Sequence, residues 1–425
     1  MDPSSVSPRR PRWWFMVRAL EHRNFRLFFI GQTISFMGTW MQQVAMGWLV
    51  WRLTHNPAMN GTVVFCAQVP VFFLGPASGF VADRFDRRRT LLITQSILMF
   101  QALALAALVL TDHIAIWQIM ALAVLLGTAN AFDLPLRQSF YVHMVGKEDL
   151  NNAIALNSIM ANGARMLGPS VAGLFLLLPK GDGFCFLLNG VSYVGALWAI
   201  LAMRGLPAQD VRPAKSDSLL REFITNIGEG FAYAMRSTPI RSLLLMVALV
   251  AIVGMPYVAL MPMLVDKVLH GNGHTLGYLT AIAGIGTFGA ALFLASRRGI
   301  GGLDRSVASA TLIFSVGLIV LSISHWIWLS ALALIGLGYG FIVQVGSSNM
   351  MIQTVVSDAH RGRIMSLFTM AFLGVSPFGA LVAGFMARHI GVQPTLLICG
   401  VICMAGGVYF ALRLAKLHLV AAPVE

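Results

Sequence analysis

A single arginine, Arg165, stands in the middle of an apolar run, in Asn162-Gly163-Ala-Arg165-Met-Leu-Gly168-Pro169-Ser-Val-Ala-Gly173. A cation at mid-bilayer costs about 2.5–3.5 kcal/mol on insertion scales, so it must face water or a partner rather than lipid. Two readings stand side by side. Arg165 lines a cavity and attracts an anionic substrate, or it donates to the carbonyls of neighbouring helices, helped by Asn162. Asp133 is the sole acid placed within a span, just before Pro135 and four residues from Arg137. At about one turn from the end of its span it reads first as a salt-bridged gate residue and second as a proton carrier. Gln32, Ser35, Thr39 and Gln42, with Gln43 beside them, form a polar stripe at helical spacing, flanked by Met37, Trp40 and Met41. Lipid would not tolerate that face, so it points inward and suggests an amphipathic cavity for a bulky or aromatic solute. Tyr257, Gln344 and Asn349 are the second-half candidates, and simple interhelical hydrogen bonding is the alternative for each.

Long apolar elements must position these residues. The chain has 425 residues, 57% of them hydrophobic and only 11% charged, against about 25% charged in a soluble domain. Twelve segments are each long enough to cross about 30 Å of hydrocarbon. They lie near 26–51, 60–82, 90–110, 115–136, 152–178, 184–203, 241–265, 275–296, 306–324, 327–350, 364–388 and 392–414. The expected class is an all-α polytopic membrane protein of two pseudo-symmetric six-helix bundles. Its parts are a basic, aromatic segment 1–24, a bundle 25–203, a linker 204–240, a bundle 241–414 and a tail 415–425. In the linker Leu220, Phe223, Ile224, Ile227 and Phe231 repeat at helical spacing, which predicts an amphipathic helix on the inner membrane surface.

An internal repeat supports two bundles. A shift of 211 residues lays Val145, Leu156, Gly163, Gly168, Val171, Ala172 and Gly173 on Val356, Leu367, Gly374, Gly379, Val382, Ala383 and Gly384. The shift joins span five to span eleven. Gly168-Pro169-x3-Gly173 removes a backbone hydrogen bond and admits a close neighbour, and Ser376-Pro377 with Gly379 and Gly384 is its counterpart.

Charge sets orientation. Spans two and three are joined by Gly79-Phe-Val-Ala-Asp83-Arg84-Phe-Asp86-Arg87-Arg88-Arg89-Thr90, whose arginines mark the cytoplasmic side. Arg52, Lys180, Lys267 and Arg388 fall outside, Arg165 inside the bilayer, and the rest of the 30 Lys and Arg on the cytoplasmic face. The net charge of +13 is thus an orientation device facing anionic lipid rather than a nucleic-acid footprint. The even span count puts both termini in the cytoplasm. Cys66, Cys185, Cys399 and Cys403 lack histidine or carboxylate company and read as buried thiols, so no metal site and no cofactor are expected. There is no P-loop, no paired catalytic acids and no nucleophile elbow, which argues against an enzyme and against ATP-driven transport.

The loop pattern Gly79-x3-Asp83-Arg84-x2-Arg87-Arg88 resembles the helix 2–3 signature of the major facilitator superfamily of secondary transporters. The resemblance implies that Asp83 faces the amino end of helix 11, near Asp358, His360, Arg361 and Arg363. It also implies that Arg87 pairs with Asp133 in a cytoplasmic latch. The family's usual loop glycine is Asp86 here, and the helix-4 arginine of drug–proton antiporters is absent, since Ala123 precedes Gly127. Further segments resemble the bacterial efflux branch that holds siderophore exporters and macrolide pumps. They are Arg23-Asn-Phe-Arg26-Leu-Phe, Gly31-Gln32, Leu134-Pro-x-Arg137-Gln138, Ala164-Arg165-x-x-Gly168-Pro169 and Arg361-Gly-Arg-Ile-Met-Ser366. That likeness implies a monomeric exporter of a small organic solute in the bacterial inner membrane, working by alternating access as an ion-gradient antiporter with possible proton coupling. A lipid-moving or uptake carrier of the same fold, and a non-transporting scaffold or receptor, are the rivals.

Overall fold

The structure, a computed structural model, describes residues 17–146, 148–205, 219–297, 299 and 301–417. The side chains of 76–84, 139, 219–227, 358–359 and 414–417 lie outside that description. The expectations for the 1–24 segment before residue 17, for the linker before 219 and for the tail after 417 therefore lie outside the described residues, as do those for the Asp83, Arg84 and Asp358 side chains.

The described chain is helical, with no strand among the described residues. A 3-10 turn at Arg18–Glu21 leads into α1 (Arg23–Thr54), α2 (Pro57–Arg84), α3 (Arg87–Leu110), α4 (Ile116–Val145), α5 (Leu150–Phe175) and α6 (Gly181–Ala202). Then come α7 (Leu219–Arg236), α8 (Thr238–Leu249) and α9 (Tyr257–Lys267), the last two joined through a π-turn at Val250–Gly254. α10 (Gly273–Ser296), α11 (Leu303–Ile323) and α12 (Ile327–Val355) follow. α13 (Asp358–Thr369) and α14 (Ser376–Ile390) flank a second π-turn at Met370–Gly374, and α15 (Val392–Leu417) closes the chain.

Among the described residues ten helical runs are long and apolar enough to span a membrane. α1 and α5 have the length but not the hydropathy. The reason is the polar stripe of α1, where Gln32, Ser35 and Gln42 are buried, and the Asn, Ser and Arg content of α5.

Two groups of helices pack internally. α1 lies against α5 and α6, α2 against α4, and α3 against α4 and α6. In the second group α11 lies against α12 and α15, and α10 against α12. The groups meet where α5 crosses α10 and where α2 crosses α14. Both crossings depend on glycine. A Cβ on Gly173 would come within 3.2 Å of the His274 carbonyl and 3.3 Å of Gly277 Cα; one on Gly384 would come within 2.8 Å of the Pro57 carbonyl and 3.2 Å of Gly61 Cα. Backbone meets backbone at both, so no side chain can be accommodated without separating the helices.

Three hydrogen bonds also join the two groups. Trp51 Nε1 donates to Asp266 at 3.2 Å, Asn60 Nδ2 to the Ala259 carbonyl at 3.3 Å, and His274 Nδ1 to the Gly173 carbonyl at 3.1 Å. These contacts and both glycine crossings lie toward the end of the molecule away from the turn between α2 and α3.

Candidate functional site

Between the two groups lies a cavity of about 470 Å³. Its walls run from Gly47, Met261 and Leu276 near the glycine crossings toward Asn130, Leu134 and Arg137. Both groups line it, with Phe36, Trp40, Tyr193, Tyr257, Phe341 and Phe372 as its aromatic surface. A volume in the range of about 300–1,000 Å³ with apolar walls and a few convergent polar groups is the form of a small-molecule site.

Arg165 enters this cavity from the middle of α5. Its guanidinium lies over the Trp40 ring, 4.8 Å from the centroid. The close approach of α5 to α1 sets that contact: a Cβ on Gly168, one turn further on, would stand 2.7 Å from both the Met37 carbonyl and Trp40 Cβ. Nε of Arg165 is buried and makes no hydrogen bond to protein. Among the described residues no carboxylate pairs with it. Asn162, expected to help it, donates instead to the Ser158 carbonyl on its own helix at 2.8 Å.

Asp133 and Arg137 form the second charged feature. Asp133 is fully buried, with Arg137 Nε at 2.7 Å, and its other oxygen accepts from Thr94 and Gln95, each at 2.8 Å. Arg137 Nη1 donates to Gln32 at 2.9 Å, and its guanidinium covers the Phe36 ring at 4.7 Å. The pair therefore adds no net charge to the cavity wall, although Gln32 Nε2 and Gln95 Oε1 beside it are buried without a partner.

This corrects the latch expected of Arg87. Asp133 was placed one turn from the end of its span, but α4 continues through Pro135 to Val145, so Asp133 lies some three turns in, level with the second turn of α3. Arg87, at the first residue of α3, meets His143 instead, at 3.2 Å. The other loop residues act on helix ends. Asp86, where the family glycine was expected, caps α3 by accepting from the Arg89 amide at 2.7 Å. Arg88 donates to the Ile200 and Leu201 carbonyls at the end of α6, at 3.1 and 2.8 Å. Arg361 is exposed in the first turn of α13, while Gly79, Asp83 and Arg84 complete α2.

The expected cavity residues separate into two sets. Thr39, Gln43, Arg165 and Tyr257 line the cavity. Gln32 and Gln42 are buried in helix contacts: Gln42 donates to Gln101 at 3.0 Å and accepts from Asn189 at 2.8 Å, tying α1 to α3 and α6. Gln344 is fully buried with neither amide atom partnered, and it is not among the lining residues. Sequence reasoning missed Tyr193, Gln68, Gln95 and Ser376 in the wall. The repeat could have found Ser376, because the shift of 211 lays Arg165 on it.

A two-bundle helical protein with a central cavity shared by both bundles has the architecture of a major facilitator transporter. The family model MFS_3, described as a transmembrane secretion effector, matches residues 17–422, and the chain belongs to that family. It is 28% identical over 401 residues to the staphyloferrin A transporter of Staphylococcus aureus, covering 93% of this chain and 98% of the relative. It is 23% identical to macrolide efflux protein A of Streptococcus pyogenes, over 91% of this chain and 96% of that protein. It is 25% identical to the multidrug efflux pump Tap of Mycobacterium tuberculosis, over 88% of this chain and 89% of the pump. Among solved structures, nucleoside transporter NupG superposes with a TM-score of 0.73 at 16% identity, over 92% of this chain and 98% of that one. A bacterial homologue of the lysosomal transporter Spinster, in an inward-facing unoccupied conformation, gives 0.70 at 14%, over 93% and 98%. At those identities the likeness is one of fold. The chain is a multi-pass membrane transporter, not an enzyme.

Proposed function

We propose that this protein exports a small organic solute across the bacterial inner membrane by alternating access, as a monomer driven by an ion gradient in antiport. The observation that carries the proposal is the asymmetry of the cavity: two glycine crossings close off one end, and the walls extend toward the other. The arginine-rich turn between α2 and α3 lies at that other end, and the positive-inside rule assigns it to the cytoplasm. The state described is then one that loads from the cytoplasm, with both termini on that side. Relatives named for efflux favour export over uptake.

Release to the outside requires the glycine crossings to part and the cytoplasmic ends to close. The loop signature with Asp83, and Arg361 at the start of α13, would meet in that second state. The test is a substrate-panel efflux assay in a pump-deleted host, repeated with the proton gradient collapsed. Energy-dependent efflux of at least one solute is expected. Accumulation in right-side-out cells but not in inverted vesicles would replace export by uptake, and no movement in either would leave a non-transporting protein.

A further inference from the structure

We infer that the solute is an organic monoanion, a carboxylate on a flat and largely apolar body, held by Arg165 against Trp40. The inference rests on the transporter reading only for the fate of the ligand; the site itself is argued from geometry.

Charge accounting of the cavity comes first. Two arginines line it, Arg137 and Arg165. Arg137 is matched by Asp133 and further engaged by Gln32, so it contributes no net charge. Arg165 has no carboxylate partner and no hydrogen-bond acceptor among the described residues; it lies over the face of Trp40 and within electrostatic range of the Tyr257 hydroxyl. The cavity thus carries one uncompensated positive charge among apolar walls. In a low-dielectric setting that charge favours an anion strongly and repels a cation.

Geometry then narrows the anion. A guanidinium set over an indole face still offers the N–H donors of its outer edge for a two-pronged contact. A carboxylate matches that fork and carries a single charge that balances Arg165. A phosphate monoester carries about −1.5 to −2 at neutral pH and would leave charge unmatched. The Trp40 face and the burial of Nε restrain the guanidinium, so less side-chain entropy is lost when the ligand arrives. Tyr257 on α9 and Ser376 add hydroxyls to the same cavity. The remaining wall, with Phe36, Phe341 and Phe372, suits a planar apolar body.

The test uses full-length protein in lipid discs and three probes with one fluorescent body: pyrenebutyrate, pyrenebutanol and a pyrenebutyl ammonium, with empty discs as reference. Saturable binding of the acid at least tenfold tighter than the alcohol is expected, the factor of a charge-assisted hydrogen bond, and the ammonium should bind weakest. Arg165→Gln should erase the preference for the acid, while Arg165→Lys should keep part of it. Equal affinities for acid and alcohol, or preference for the ammonium, would overturn the inference. A preference unchanged in Arg165→Gln would do the same. If Arg165→Gln fails to fold, the ranking of the three probes on the unaltered protein decides alone. Selective binding of the acid with no cellular efflux of any solute would sink the export reading and leave this site standing; efflux of solutes without any anion preference would do the reverse.

Discussion

Span five and its repeat partner, span eleven, are built on the same glycines yet differ in their backbone. α5 runs unbroken through Arg165 and Pro169 to Phe175, and Gly168 presses it against Trp40 on α1. Its counterpart breaks into α13 and α14 around the π-turn Met370–Gly374, and there Gly379 sits against Ile252, inside the other π-turn at Val250–Gly254. Both π-turns belong to the second half, and they touch each other. Gln32, Gln42, Gln101, Asp133 and Asn189 in the first half each keep at least one partner, although Gln32 Nε2, Gln101 Nε2 and Arg165 Nε are buried without one. The side chains of Gln344, Ser347 and Ser348 on α12, by contrast, are buried with no partner at all. A π-turn carries an extra residue and weakens the helical ladder, and unpartnered polar groups cost stability. The first half is therefore a braced frame that presents Arg165. The second half holds the elements whose rearrangement could separate the crossings.

That contrast can be broken first through transport, where the largest effect is expected at a glycine crossing, and then through stability. Gly277→Val forces a branched side chain against the Gly173 backbone, and the α5–α10 crossing must open. Overpacking of this kind costs about 1–3 kcal/mol, enough to shift a two-state population about 5–150-fold. Transport should fall at least tenfold, and spin-label distances across α5 and α10 should lengthen. Unchanged distances would mean that the crossing does not hold the two halves.

In stability the largest loss is expected for Asp133→Asn, because it leaves Arg137 as an uncompensated buried charge, at a cost of about 3–5 kcal/mol. The detergent-solubilised protein should melt markedly lower. Asp133→Asn with Arg137→Gln should recover much of the loss, and failure of the double variant to recover would show that the network is held by something other than the pair. A smaller loss, about 1–3 kcal/mol, is expected for Gln42→Leu, which strands the amides of Gln101 and Asn189.

Smallest in stability, and opposite in sign, is Gln344→Met. Replacing an unpartnered buried amide by an apolar chain of similar volume should be neutral or raise the melting temperature slightly. Turnover should slow if the second half moves. A drop in stability comparable to that of Gln42→Leu would erase the distinction between the halves.

Hydropathy made the spans legible because lipid demands about 20 apolar residues per helix, and the repeat of glycines made two bundles legible. Arg165 was legible as well, since one charge in a long apolar run has few permitted environments. The depth of Asp133 was not, because nothing local says whether a helix continues through Pro135. Gln32 and Gln42 share a face with Thr39, and spacing alone could not say that two of them bond to other helices while the third meets the cavity.

The sequence alone determined the membrane class, the two related halves and which residues had to avoid lipid, because those follow from transfer free energies that each residue carries with it. Only the tertiary structure decided that Arg137 is neutralised by its neighbour while Arg165 is not, and that Gly61, Gly173, Gly277 and Gly384 close off one end of the cavity. Those are properties of distances between helices far apart in the chain, and no one-dimensional pattern contains them.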